Sequence, residues 1–427
     1  MQSIGEADAA TNDPGDRLEP IERSLITSCS PWRLGDLICE VRSVSGVSLV
    51  DLFILRDADI EDIDLFEKGV EKGRSLKPDR DRDESLDTRT STEILAADDE
   101  NLDLIEDWVR AEFAGCNREE RLGGAEKAGI AALATYFPAI TALPPPEVPT
   151  GDNASHVPVP RVDFRDATQA IANTVRLALR LKKDRKHPKS GAEEPALMRH
   201  AVVEIVCGTT LDRCACLACQ KTPPPGHAGP VSERGFETKR ELKLQLLCDR
   251  LLEVVKLVKN SKEGADPAWV LALELEPGRT YVLNDNEAIQ TLLNRLKDDK
   301  YAALRPHVGL NVDIAHMRIA GVRAEDLYPL RDWIVHAHIC DHPGMHTRDQ
   351  VVGTWTPVER YESEFYPYLR LLAEIDPQSP ERAGRPFTGA VALELEGCGR
   401  INWIHQSLVA MKRMIEVVKH HCQRIPL

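Results

Sequence analysis

The chain has 427 residues, 29% of them charged, and a formal net charge of −15. That balance disfavours nonspecific binding to nucleic acid or to an anionic membrane surface, so neither is an expected partner. No apolar run of about 18 residues is present, and the polar stretch Met1 to Glu19 lacks a signal-peptide core, so a cytoplasmic location is expected.

The length exceeds the usual single domain, yet an α/β barrel with insertions fills it as one unit. The expected organisation is a disordered lead-in over residues 1–22 and one domain over 23–427. The eleven cysteines are odd in number and scattered, with Cys39, Cys207, Cys248 and Cys340 inside apolar segments. That usage belongs to reduced thiols and not to a secreted disulfide framework.

In chain order, the pattern predicts a strand at Ser24 to Cys29, a helix from Trp32 to about Ser43 and a strand from Val47 to Leu55. Residues 56–100 are dominated by charge and read as a largely solvated acidic insertion. Helices are expected at Leu102 to Phe113 and Glu120 to Ala134, then a third strand at Thr135 to Leu143 and a Pro-rich loop, Pro144 to Pro160. Helix Ala167 to Lys183 overlaps a basic stretch, Arg176 to Lys189, which reads as the close of an exposed helix. Strand His200 to Cys207 leads into a loop over 208–238 and helix Arg240 to Lys259.

From there the alternation is regular. Strands are predicted at Trp269 to Glu276, Val308 to Asp313, Trp333 to Ile339 and Gly389 to Glu394. The helices between and after them are Glu287 to Lys297, Ala324 to Leu330, Glu364 to Glu374 and Trp403 to His420. In the last, Ile404, Leu408, Met411, Ile415 and Val418 form one apolar stripe. Eight strands with intervening helices predict a (β/α)8 TIM barrel with an acidic insertion and a Cys-containing loop after strand four.

The chemistry sits at strand ends. The chain writes Ala-Leu-Glu-Leu-Glu twice, at 272–276 and 392–396, and between the copies lie Asn311-Val312-Asp313-Ile314-Ala315-His316 and His336-Ala337-His338-Ile339-Cys340-Asp341. An apolar run ending in acid or imidazole is a core strand delivering a ligand to the barrel mouth, where this fold gathers its catalytic groups. Glu274, Asp313, His338 and Glu394 together make a hard, oxygen-rich shell for a divalent ion. It suits Mn²⁺, Mg²⁺ or Co²⁺, with Zn²⁺ a further option. Such an ion would hold neighbouring oxygens of a hydroxy-ketone and favour proton removal from the adjacent carbon. Glu276 and Glu396 compete with Glu274 and Glu394, because residues two apart in a strand point the same way. Asp313 has a second reading as a helix N-cap. His336 reads as a packed strand residue, Asp341 as a ligand-orienting residue or a loop cap, and His342, His346 and Asp349 lie on the loop after strand seven.

Over roughly residues 200–420 these segments resemble the xylose-isomerase-like barrel superfamily, and within it the ketose 3-epimerases and sugar phosphate isomerases. The resemblance carries the family's metal set onto Glu274, with Leu283-Asn284-Asp285 downstream; onto Asp313 within Asp313-Ile314-Ala315-His316-Met317; onto His338; and onto Glu394. It implies Glu274 and Glu394 as the acid/base pair and His316 facing the substrate, with Asp341 a further candidate substrate contact. It departs where the epimerases follow the first Glu with Asn-Arg and an acid, for this chain has Glu276-Pro277-Gly278-Arg279-Thr280, and Gly344 stands where they place an Arg. The sugar-hydroxyl contacts of that branch are therefore not carried over.

Endonuclease IV shares the barrel, but its trinuclear site needs Asp-x-His after strand seven, where Asp349-Gln350-Val351 lacks the His. The cluster Cys214, Cys216, Cys219, with His227 beyond, reads either as a zinc site or as a Cys-rich loop of accidental spacing. Either way the loop should overhang the active face as a lid. The leading expectation is a metal-dependent isomerase or epimerase of a sugar or polyol working through an enediolate on a small carbohydrate-like substrate. The alternatives are a catalytically silent binding barrel and a metal-dependent lyase or hydrolase on the same fold.

Overall fold

A computed structural model describes residues 21–30, 32–54, 94–96, 99–118, 127–142, 164–187, 190–212, 236–237, 239–278, 281–340, 364–395 and 401–427. Eight strands form one parallel sheet: β1 (Glu22–Leu25), β2 (Leu49–Phe53), β3 (Gly129–Tyr136), β4 (Ala201–Val206), β5 (Trp269–Glu274), β6 (Val308–Asp313), β7 (Ile334–Ile339) and β8 (Ala390–Leu393). Each pairs with its neighbours in chain order, β8 pairs with β1, and a parallel bridge from Ile26 to Asp51 joins β1 to β2. The sheet is thereby closed: the protein is a (β/α)8 barrel.

The strands alternate with α1 (Leu34–Ser45), α2 (Asp99–Arg118), α3 (Phe164–Leu181), α4 (Arg240–Lys259), α5 (Asn286–Leu296), α6 (Ile314–Ile319), α7 (Tyr366–Ala373) and α8 (Ile401–His421). Because these helices cover the outside, the strands are buried on both faces and read as continuous apolar runs; every residue of β4, β5, β6 and β7 is buried. The stripe on α8 buries Ile404, Leu408, Met411 and Val418, while Met414 takes the place expected of Ile415. A separate cluster, Ala132, Val202, Val270, Ala272 and Val335, gathers side chains from four strands. On β5, Val270, Ala272 and Glu274 alternate, so the face that begins apolar ends in a carboxylate.

Several expectations need correction. The third strand is Gly129–Tyr136, not Thr135 to Leu143, and Pro138–Thr141 is a 3-10 turn. The alanines at 131, 132 and 134 favour helix by propensity, but small residues also suit a strand enclosed on both faces, and pairing with β2 and β4 decides. The first strand stops at Leu25, with Thr27–Cys29 in a 3-10 turn. The helix bearing the basic stretch is not exposed: α3 packs against α2, α4 and β4 and is buried on nearly every side. Its Arg176 pairs with Asp99 at 2.7 Å and Glu263 at 2.8 Å, and Arg180 with Glu263 at 2.7 Å. Arg176 and Arg180 thus neutralise carboxylates on neighbouring elements, while Lys183 and Lys186, past the helix, are exposed.

The end of the acidic insertion is also structural, since Ile94 and Leu95 enter the core and Asp99 opens α2. Most of the insertion, the Pro-rich loop and the cluster Cys214, Cys216, Cys219 and His227 lie outside the described residues. A two-stranded ribbon, Leu211–Asp212 with Phe236–Glu237, ties the two ends of the loop after β4. Among the described residues no helix is long and apolar enough to cross a membrane.

Candidate metal centre

Four consecutive strands bring Glu274, Asp313, His338 and Glu394 together. One ligand atom from each lies within 4.8 Å of all the others. Glu274 and Asp313 are the last residues of β5 and β6, His338 precedes the last residue of β7, and Glu394 follows β8 with its N–H donating to the carbonyl of Ile339 at 3.1 Å. His338 sits between the two glutamates, its Nδ1 3.0 Å from Glu394 Oε2 and 3.5 Å from Glu274 Oε1. Asp313 also fulfils its other reading: Oδ1 caps α6 by accepting from the His316 N–H at 2.8 Å.

Glu276 lies outside this group. Past Glu274 the strand ends and the Glu276 N–H turns to the carbonyl of Leu283 at 2.9 Å, so the two-residue alternation no longer holds. Its carboxylate stands 3.9 Å from His316 Nδ1. His316 is buried, directs Nδ1 at the carbonyl of Leu275 at 3.1 Å and lies 3.6 Å from Glu274 Oε1. Glu396, Asp341, His342, His346 and Asp349 lie outside the described residues.

Sequence reasoning missed part of the site. Asp51 on β2 and Glu204 on β4 are buried carboxyls near the cluster, and Ser24, Asn311 and Thr388 extend its polar lining. His336, read as simply packed, is fully buried but bonded at both nitrogens, to Asp51 and to Thr388 Oγ1. The available signal was a polar residue interrupting a buried apolar strand, as in Val50-Asp51-Leu52 and Val203-Glu204-Ile205, because an enclosed polar group demands a partner.

The electrostatics follow from enclosure. Burial pushes the Glu394 carboxyl up to about 8, His338 opposing and the Glu274 and Asp313 charges adding to the rise. Burial acts on Glu274 in the same direction, but the nearby His338, with His316, outweighs it and holds the group down to about 2. Glu204 is raised well above the ordinary range by burial and by Glu274. His316 and His338 are both raised well above the ordinary imidazole value despite burial, by the surrounding carboxylates.

Clustered carboxylates in an enclosed lumen repel one another, and a cation is the direct compensation. Glu274 Oε1, Asn311 Oδ1 and His338 Nε2 are buried without an aligned hydrogen bond. The donor set is mostly carboxylate oxygen with one imidazole, so the residues present fit a hard divalent ion.

The fold and site define a parallel (β/α)8 barrel with a carboxylate–imidazole cluster at the carboxyl ends of its strands. No protein-family model matches the chain, and no curated protein is similar to it. Solved structures are similar in fold. A xylose isomerase domain protein from Alicyclobacillus acidocaldarius is 15% identical over 93% of this chain and 99% of that one, with a TM-score of 0.45. The probable 3-DHS dehydratase AsbF from Bacillus anthracis is 11% identical over 92% and 98%, with a TM-score of 0.44. Endonuclease IV from Thermus thermophilus is 11% identical over 92% and 99%, with a TM-score of 0.41. Likeness at this level concerns chain path, and a shared barrel does not carry an activity with it.

Proposed function

We propose that this protein is a divalent-metal-dependent isomerase or epimerase of a sugar or related polyol, working through an enediolate. The observation that carries the reading is the convergence of Glu274, Asp313, His338 and Glu394 within 4.8 Å. These four would hold the ion, with Mn²⁺, Mg²⁺ or Co²⁺ best matched to the donors. The ion would supply Lewis-acid polarisation of neighbouring substrate oxygens, which acidifies the carbon between them.

The chain's own groups would move the proton. β5 and β8 are separated by β6 and β7, so Glu274 and Glu394 approach the site from different sides. Glu274 and Glu394 would form the acid/base pair, one taking the proton from carbon and the other returning it. His316, beside Glu274 and Glu276, would face the substrate and offer a hydrogen bond to its oxygens.

The test is a panel of aldoses, ketoses and polyol-derived ketones incubated with the Mn²⁺-loaded protein in deuterated water and followed by NMR. One bound ion per chain, and deuterium at the carbon next to the carbonyl appearing with product, is the expected result. A protein that binds no divalent ion, or that converts a sugar without solvent exchange, overturns the proposal.

A further inference from the structure

We infer that Asp51 is a positioning residue: its carboxylate, 3.3 Å from His338 Nε2, draws the ring proton to that nitrogen by charge, which leaves Nδ1 for the metal site of Glu274 and Glu394. The inference rests on the metal reading above. A neutral imidazole can ligate through one nitrogen only, and the partner of the other nitrogen decides which. In His338 the two nitrogens face different groups. Nδ1 lies 3.0 Å from Glu394 Oε2, 3.5 Å from Glu274 Oε1 and 3.3 Å from the side-chain amide nitrogen of Asn311, all within the metal site. Nε2 lies 3.3 Å from Asp51 Oδ2, within charge-pairing range though not aligned as a hydrogen bond.

Asp51 is built to stay in place. It is fully buried at the seam where β2 meets β1, beside a β2–β3 register shift that leaves Ala131 of β3 unpaired between Ile130 and Ala132. Ser24 Oγ donates to its Oδ1 at 2.7 Å. His336 Nε2 donates to its Oδ2. His336 is itself placed, because Thr388 Oγ1 lies 2.8 Å from His336 Nδ1 while accepting from the Ala390 N–H at 3.2 Å and lying 3.5 Å from the Ala390 carbonyl. Ser24, His336 and Thr388 therefore fix a carboxylate that has capacity left for His338.

Asp51, His336 and His338 also lie close enough to hold an ion of their own. The geometry favours the positioning role. His338 would otherwise have to ligate through both nitrogens, and each of the other two residues already has an ordered hydrogen-bond partner in Ser24 and Thr388.

The experiment is Asp51→Asn beside Ser24→Ala, with Mn²⁺ affinity read by electron paramagnetic resonance. In parallel, the His338 ring proton is located by ¹⁵N NMR in Zn²⁺-loaded protein. Asp51→Asn should weaken Mn²⁺ binding ~10–100-fold and lose or shift the Nε2–H signal, while Ser24→Ala, which keeps the carboxylate, changes both far less. A folded Asp51→Asn protein with wild-type affinity and an unchanged His338 signal overturns the inference and leaves the metal reading standing. Wild-type protein that binds neither ion sinks both. Two ions per wild-type chain, one of them lost in Asp51→Asn, would make Asp51 a ligand instead. Should the Asn variant not fold, wild type still decides: a Zn²⁺-loaded His338 with its proton on Nδ1 contradicts the inference, and one with it on Nε2 supports it.

Discussion

The two oxygens of Asp313 face different partners: Oδ1 caps α6, while Oδ2 lies 4.0 Å from Cys340 Sγ. Substitutions can separate the cap from the charge. Asp313→Asn keeps a good cap, so its melting temperature should stay near wild type while Mn²⁺ affinity falls; Asp313→Ala should lose affinity and a further ~1 kcal/mol of stability. Equal stability losses in the two variants, with affinity intact, would make Asp313 purely structural. Glu394→Gln isolates the proton. An amide oxygen can still ligate, though more weakly, but cannot exchange a proton with carbon. Turnover and solvent exchange should therefore fall together by ~10²–10⁴-fold, with Mn²⁺ retained better than in Asp313→Ala. Near-normal exchange in that variant would remove Glu394 from the acid/base role.

At the scale of elements, β6 and β7 must approach closely to bring Asp313 beside His338, and their register shifts at Leu310/Asn311. Gly309 permits the approach, since a Cβ there would lie 2.5 Å from Val335 Cγ1 and 2.8 Å from the carbonyl of Trp333. Gly309→Ala should cost about 1–3 kcal/mol by overpacking and should weaken Mn²⁺ binding as well, because the strand it displaces carries a ligand. Urea unfolding together with ion titration checks both effects. The helical layer has its own charge logic around Glu263, which takes Arg176 and Arg180. Burial opposes ionisation of Glu263, but the two guanidinium groups outweigh it and hold the carboxyl down to about 2. Because the folded value is depressed, this stabilisation is full above the ordinary carboxyl range and is lost as pH falls from about 4.5 toward 2. Glu263→Gln should flatten the acid limb of the stability–pH curve across that window; an unchanged limb would show the pairing to be energetically idle.

For the whole molecule, the lumen encloses Asp51, Glu204, Glu274, Asp313 and Glu394 within one closed sheet. An ion that binds only the folded state stabilises it by mass action, about 2.7 kcal/mol at a hundredfold excess over Kd. Adding a chelator to Mn²⁺-loaded protein should therefore lower the melting temperature, and restoring Mn²⁺ should recover it. A melting temperature indifferent to both would argue that the carboxylates are balanced by protons alone.

Local patterning determined much of this protein. Runs such as Trp269 to Glu274 and Val308 to Asp313 announced enclosed parallel strands, the apolar stripe of α8 announced its packed face, and the strand-end groups Glu274, Asp313, His338 and Glu394 were legible because each closes an apolar run. These signals depend on near neighbours in the chain, which is why they could be read there. Closure of the barrel decided the rest. It placed Asp51 against His336 and His338 across hundreds of residues of sequence, drew Glu204 toward Glu274, enclosed Arg176 against Glu263 and set the third strand at Gly129–Tyr136. The end of β5 likewise chose Glu274 over Glu276 for the cluster, where periodicity left the two equivalent. A side chain's period says which face it shares, but its partner is set by which strands the closed sheet brings together, and that is a property of the tertiary fold alone.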